Sequence, residues 1–237
     1  MSSKPLAIMA VTSLCMMAGM IGSAGAAKRS AAYHPTIDVA NFQAAIDNPY
    51  LPLVPGTTFK LIEKQGKRTS ENVITVTHDT KVIMGVTCVV VRDQVMENGK
   101  VTEDTYDWYA QDKQGNVWYF GEDTKEFHAK GKVDTEGSWE AGVGRNQPGI
   151  IMPGNPKPGA PYWQEYGPGH AEDMGQVVAV DDSVTVPYGS FGRCVRTKEW
   201  SLLEPGTEKK WYAPGIGVVR TESTTKEIAT LVSMTKE

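Results

Sequence analysis

The strongest constraint on the fold is an aromatic stretch around a polar turn, Asp107–Thr124 (DWYAQDKQGNVWYFGEDT). Aromatic runs on both sides flank the polar segment Gln111–Asn116, in which Gly115 can supply a positive φ. Aromatic residues favour strands, and six of them lie between Tyr106 and Phe120 in a chain that is 8% aromatic. The stretch therefore predicts a β-hairpin.

Strand-like runs at short spacing extend this pattern over most of the chain. Asn72–His78 alternates between its two faces, and Asn98-Gly99 is a strong signal for a two-residue hairpin turn. Thr36–Ile46 is the one window with a partial helical face, and Thr36 or Asp38 could cap it. The predicted fold class is all-β: a curved antiparallel sheet or barrel with one short N-terminal helix. A two-sheet sandwich is the alternative.

The first residues have the features of a secretory signal peptide. Lys4 supplies a positive charge, Leu6–Ile21 is mostly apolar, and Ala24-Gly25-Ala26 fits a cleavage site. We therefore predict a signal peptide at 1–26, a flexible leader at 27–35, and a single β domain at 36–237 with a Gly/Pro-rich loop at 142–169. The expected location is periplasmic or secreted, with no transmembrane segment in the mature chain.

The charge of the chain argues against nucleic acid as a partner. Its formal net charge is −4 at pH 7, and no basic stripe interrupts the sequence. Nucleic-acid binding requires clustered Lys and Arg side chains that neutralise phosphates. We therefore expect no nucleic-acid partner.

Three blocks carry a resemblance to a known family: Ile46–Gly56 (IDNPYLPLVPG), Asp107–Thr124, and Trp211–Val219 (WYAPGIGVV). Together they resemble a family of uncharacterised secreted bacterial all-β proteins, and the resemblance covers nearly the whole predicted mature chain. The last block also resembles, more loosely, periplasmic half-barrels of the lipoprotein-carrier kind. That second resemblance implies a curved sheet around a helix and a site for an acyl chain. Neither resemblance supplies catalytic residues.

Two cysteines follow the predicted signal peptide, Cys88 and Cys194. In an oxidising compartment such a pair is a candidate disulfide. Both lie in strand-like runs, so two buried thiols in separate strands are the alternative.

Aromatic side chains and the Gly/Pro-rich loop predict a binding function. We expect a small apolar or amphipathic ligand in the barrel mouth, under the loop at 142–169, because Trp and Tyr combine an apolar body with a polar tip. No cofactor is expected. The residues predicted to bind this ligand are Trp108, Trp118, Tyr119, Trp163, Tyr166 and His170.

Other functions are less well supported by the sequence. The cluster Glu165, His170, Glu172 and Asp173 could form an acid–base or metal-dependent site of an envelope enzyme. No nucleophile motif or zinc-ligand spacing accompanies it, so we lean against catalysis and assign no catalytic residue or metal. Acidic pairs such as Glu103-Asp104 and the turn at Asp112 could bind calcium, although a turn in which Asp112 bonds its own backbone is favoured. A structural or partner-binding envelope protein is the third alternative.

Overall fold

A computed structural model describes residues 33–237. The predicted signal peptide, 1–26, and most of the predicted leader lie outside the described residues. Within them the protein is all-β and antiparallel, with 16 strands in one nearly closed, barrel-like sheet. The all-β antiparallel prediction is therefore confirmed, and the sheet is barrel-like rather than a sandwich.

The strands follow one another as a meander in each half of the chain. The first half contains β1 (Phe42–Gln43), β2 (Thr57–Gln65), β3 (Arg68–Ile83), β4 (Val86–Glu97), β5 (Lys100–Asp112), β6 (Val117–Phe127), β7 (Val133–Asp134), β8 (Trp139–Glu140) and β9 (Gln147–Met152). The second half contains β10 (Tyr162–Trp163), β11 (Glu165–Tyr166), β12 (Asp173–Val186), β13 (Gly189–Ser201), β14 (Glu208–Ala213), β15 (Gly217–Ser223) and β16 (Ile228–Lys236).

The order of strands in the sheet is β10-β12-β13-β14-β15-β16-β2-β3-β4-β5-β6-β9-β11, and β1, β7 and β8 pair beside it. The two halves join where β16 pairs with β2 over most of its length. At the hairpin between β4 and β5, Asn98 and Gly99 both have positive φ, 51° and 74°. This is the conformation that the predicted two-residue turn requires.

The sheet closes through the short segment 162–166. Tyr162–Trp163 pairs with β12 at one edge of the sheet, and Glu165–Tyr166 pairs with β9 at the other. Gln164 connects the two, and its backbone lies against Gly149, where a Cβ atom would be 2.3 Å from the Gln164 carbonyl oxygen. A side chain at position 149 is therefore excluded by the segment that closes the barrel.

Gly149→Ala is expected to lower the free energy of unfolding by about 2–4 kcal/mol, because the methyl group would displace the closing segment. Urea denaturation measures this change. The matched control is Gly159→Ala, where the nearest atom to a Cβ is 3.6 Å away and the change should stay within about 0.5 kcal/mol. Equal stability of the two variants would contradict the role given to Gly149.

The predicted N-terminal helix over Thr36–Ile46 is wrong. One 3-10 turn forms at Val39–Asn41, capped by the Asp38 carboxylate, which accepts a hydrogen bond from the Ala40 N–H at 3.0 Å. The chain then becomes extended, and Phe42–Gln43 pairs with β5. A second 3-10 turn lies at Ala129–Gly131, and no helix within residues 33–237 is long and apolar enough to cross a membrane.

Tertiary packing explains why the predicted helix does not form. The Phe42 ring packs edge-on against Trp118 and Phe120, with centroids 6.2 and 5.7 Å away. A strand places this ring over the aromatic hairpin, and such contacts outweigh a weak helical propensity.

The predicted disulfide between Cys88 and Cys194 is also wrong. Both thiols are free and buried. Cys88 lies in β4 opposite Lys81, and Cys194 lies in β13 opposite Asp182. Five strands separate β4 from β13 in the sheet, so the two sulfur atoms are not on neighbouring strands.

Candidate functional site

The interior of the barrel is divided into an apolar end and an acidic end. At the apolar end the inward positions of β2 and β3 carry Phe59, Leu61, Ile74 and Val76, all buried. Toward the opposite end the same two strands place Glu63, Ser70 and Asn72 inward. Side chains alternate between the two faces of a strand, so each strand contributes apolar residues to one end and polar residues to the other.

The apolar end is filled by the segment that precedes β2. Ile46, Leu51 and Leu53 are at most 3% exposed and belong to the hydrophobic core. Asn48 fixes this segment, since its side-chain amide donates to the Gly115 carbonyl at 2.8 Å. The space left among the apolar side chains is only about 10 Å³. An acyl chain cannot enter this end without displacing core residues.

Nine acidic side chains, each at most 4% exposed, line the rest of the interior. We call them the acidic belt: Glu63, Asp93, Glu103, Asp107, Glu122, Glu165, Asp173, Glu199 and Glu208. They come from β2, β4, β5, β6, β11, β12, β13 and β14. The charge of one member raises the pKa of another, as Glu165 does for Glu122 and Asp93 does for Glu103.

Lys210 is the one buried Lys or Arg side chain among residues 33–237. Its ammonium lies 2.9 Å from Glu199 Oε2 and 3.5 Å from Glu208 Oε2. Desolvation lowers the pKa of Lys210, but the charges of these two carboxylates raise it above the ordinary value. Its positive charge also lowers the pKa values of other belt members, namely Asp93, Asp107, Glu165 and Asp173. The charge of Lys210 therefore influences belt members beyond the two carboxylates that it contacts.

Burial nevertheless dominates the titration of the belt. Loss of solvation raises the pKa of Glu63 and of Asp93 to about 8, and that of Glu208 to about 7. It raises the pKa values of Glu122 and Glu165 well above their ordinary range, and the charges of Glu165 and Asp173, respectively, add to this effect. A buried carboxyl keeps its proton when the charged form cannot be solvated.

The hydrogen bonds of the belt are incomplete. Tyr119 donates to Asp107 Oδ1 at 2.6 Å, and Thr197 donates to Glu199 Oε1 at 2.6 Å. The second oxygens of several belt members have no hydrogen-bond partner among residues 33–237: Asp93, Asp107, Glu122, Glu165 and Asp173. A protonated carboxyl can donate to a neighbouring carboxylate. Shared protons are therefore the simplest way to satisfy these oxygens.

A pocket of about 60 Å³ opens beside the belt, which we call the mouth pocket. Glu199 and Glu208 contribute buried carboxyls to it, and Trp200 and Pro205 contribute apolar surface. The other lining residues are Ser201, Glu204, Gly206, Thr207, Ser223, Thr224 and Thr225. They belong to the β13–β14 and β15–β16 connections and the strand ends beside them. The pocket thus combines an apolar wall, hydroxyl groups and carboxyls.

The six residues predicted to bind a ligand lie in different places, and none of them lines the mouth pocket. Tyr119 is inside the barrel, stacked on Tyr109 at 4.8 Å. Lys81 Nζ lies 3.3 Å from the centroid of the Trp108 ring. The Trp118 indole donates to Asp112 Oδ2 at 2.8 Å.

Trp163 and Tyr166 lie in the closing segment, with ring centroids 4.9 Å apart. Tyr33 packs on both rings, and its hydroxyl donates to the Pro148 carbonyl at 3.1 Å. Burial raises the pKa of Tyr33 to about 12. Tyr33 therefore covers these two predicted ligand-binding residues.

The alternative enzyme site is divided by the fold. Glu165 and Asp173 belong to the belt, where the charge of Asp173 raises the pKa of Glu165. His170 and Glu172 lie in the turn before β12, where Glu172 accepts the Gly169 N–H at 2.7 Å. No group of three or more potential ligands among residues 33–237 could hold a metal ion. The acid–base assignment stays a prediction.

The turn at Asp112 is held by its own hydrogen bonds. The carboxylate accepts N–H bonds from Gln114 and Asn116 at 3.0 and 2.9 Å, and also from the Asn116 amide and the Trp118 indole. Asp112 therefore bonds the backbone of its own turn, as the favoured prediction stated.

Sequence reasoning missed the acidic belt, although part of its signal was visible. Three of the members belong to pairs of adjacent acidic residues, Glu103-Asp104, Glu122-Asp123 and Glu172-Asp173. In each pair one carboxyl is buried in the belt and the other lies on the more exposed face. Alternation along a strand separates adjacent residues, so an acidic pair in a predicted strand indicates one inward carboxyl.

The fold and site define a class: an all-β antiparallel, nearly closed barrel with an acidic interior around one lysine. No family model and no curated protein matches the chain. Among solved structures, it is similar to a "putative exported protein with YMCC-like fold" from Bacteroides fragilis, at 16% identity and a TM-score of 0.48. The alignment covers 81% of this chain and 100% of that chain. A likeness of this degree carries no functional argument, and the predicted family resemblance stays a prediction.

Proposed function

We propose that this protein is a secreted or periplasmic, non-catalytic binding protein for a small amphipathic ligand. The observation that carries the proposal is the mouth pocket, in which an apolar wall faces buried carboxyls. Small-molecule sites typically combine apolar surface with a few oriented polar groups. The location rests on the predicted signal peptide.

A purely apolar ligand has less support. The apolar end of the barrel is filled by core side chains, and the rest of the interior is lined by the acidic belt. A ligand with one apolar part and one polar part would match the mouth pocket without leaving buried carboxyls unpaired.

Thr225→Trp tests the proposal, because Thr225 is an exposed residue of the pocket rim and an indole there would fill the pocket. We expect the wild-type protein, purified from its own source without detergent, to retain a small-molecule adduct in native mass spectrometry. Thr225→Trp should lose this adduct. The control Thr87→Trp, at an exposed position on β4, should keep it. An adduct retained by Thr225→Trp, or none on the wild type, would contradict the proposal.

A further inference from the structure

We propose that the ligand of the mouth pocket carries a protonated amine, and that Glu208 anchors this amine. The inference rests on the proposed function and specifies the chemical class of the ligand as an amphipathic organic cation. Glu208 lines the pocket and is 4% exposed, and its Oε2 atom has no close hydrogen bond among residues 33–237, only the 3.5 Å contact with the Lys210 ammonium.

The two buried carboxyls at the pocket, Glu199 and Glu208, differ in how their oxygens are paired. Both oxygens of Glu199 are engaged: Thr197 and Tyr212 donate to Oε1, and Lys210 lies 2.9 Å from Oε2. Glu208 Oε2 lies 3.5 Å from the same ammonium. Lys210 is thus closer to Glu199, and Glu208 retains an acceptor for another donor.

The charge balance around Glu208 also favours a cation. The negative charges of Glu199 and Glu227 act on Glu208, against the positive charge of Lys210. The charges of Glu208 and Glu227 act in turn on Glu63. Glu199 and Glu208 therefore share Lys210, the one buried Lys or Arg side chain among residues 33–237. A bound ammonium would offset part of this excess, whereas a carboxylate or phosphate would add to it.

The remaining lining residues suit the rest of such a ligand. Trp200 and Pro205 provide apolar surface at one side, and indole rings are favourable neighbours for organic cations. Hydroxyl groups of Ser201, Thr207 and Ser223 line the same pocket and can accept the other N–H bonds of an ammonium group. A volume of about 60 Å³ suits a small ligand.

Isothermal titration calorimetry at pH 7.5 tests the amine with three probes of one carbon skeleton: 3-phenylpropylamine, 3-phenylpropan-1-ol and 3-phenylpropanoate. We expect the amine to bind about tenfold more tightly than the alcohol, and the acid to bind most weakly. Glu208→Gln should weaken the amine about tenfold and leave the alcohol unchanged. The control Glu222→Gln, a half-buried position on β15 paired with Arg220, should change neither.

A second measurement keeps the test independent of the folding of Glu208→Gln. For the wild-type protein, raising the salt concentration from about 50 to about 500 mM should weaken the binding of the amine several-fold and leave the affinity of the alcohol unchanged. If the amine and the alcohol bind equally tightly to the wild type and neither binds to Thr225→Trp, the proposal that the ligand carries an amine is overturned. The proposed binding function would still stand. Failure of all three probes to bind would count against both.

Discussion

Raising the pH from about 5 to about 8 is expected to lower the free energy of unfolding by at least about 3 kcal/mol. Burial raises the pKa values of Glu63 and Asp93 to about 8 and that of Glu208 to about 7, whereas an unfolded Glu or Asp titrates near 4. Between these values the folded state binds more protons than the unfolded state. Stability therefore falls with rising pH.

The size of the effect follows from the number of retained protons. Each proton held by the folded state and not by the unfolded state costs about 1.4 kcal/mol per pH unit. One carboxyl with a folded pKa of about 8 would thus contribute about 4 kcal/mol between pH 5 and pH 8. The stabilisation is fully present below about pH 4, declines progressively above it, and is fully lost once the pH has risen through 7 to 8.

Urea denaturation at pH 5, 6, 7 and 8 measures this slope, and Glu63→Gln tests its origin. The amide can still accept the hydrogen bond that Ser70 donates at 2.8 Å, and it has no proton to lose. The variant should show a shallower loss of stability toward pH 8. Glu71→Gln, on the outer face of β3 beside Lys60, should keep the wild-type slope. Stability that is flat or rises with pH would contradict the prediction.

Local sequence patterns were sufficient to predict much of the sheet. The alternation in Asn72–His78 placed Ile74 and Val76 on one face of a strand and the residues between them on the other. Both Ile74 and Val76 are buried in the barrel. Asn98-Gly99 marked a turn that the backbone then forms. These signals succeed because they depend on residues two to four apart in the chain.

The errors arose where the outcome depends on distant residues. Phe42 lies in a strand because Trp118 and Phe120 pack against its ring. Nothing within Thr36–Ile46 itself indicates a strand at this position. Cys88 and Cys194 both lie in strand-like runs, but these strands are far apart in the sheet. Pairing partners depend on strand order and register, and a single sequence specifies these only weakly.

The site was the least predictable part for the same reason. Each belt carboxyl reads locally as an ordinary acidic residue of a strand, and surface strands carry many such residues. Only closure of the barrel brings residues as distant as Asp93 and Lys210 within electrostatic reach. The aromatic residues predicted to bind a ligand lie instead in the core, at the Asp112 turn and in the closing segment, and none of them lines the mouth pocket.

Lys210→Met is expected to destabilise the protein by about 3–5 kcal/mol at pH 7.5, the usual cost of removing one partner from a buried ion pair. Lys210 is 3% exposed and is the only buried cation within residues 33–237. Its removal leaves Glu199 and Glu208 without their ammonium partner. Methionine has a similar shape and length, so the loss should come from charge rather than from a cavity.

Three comparisons separate the effect of the lost charge from other effects of Lys210→Met. Lys198→Met removes an exposed lysine whose ammonium lies over the Trp200 ring at 5.4 Å, and it should cost no more than about 1 kcal/mol. The double variant Lys210→Met with Glu199→Gln should recover at least about half of the loss, because the amide needs no counter-charge. The deficit of Lys210→Met should also shrink at pH 5, where Glu208 is protonated. A cost equal to that of Lys198→Met would mean that the belt does not depend on its lysine.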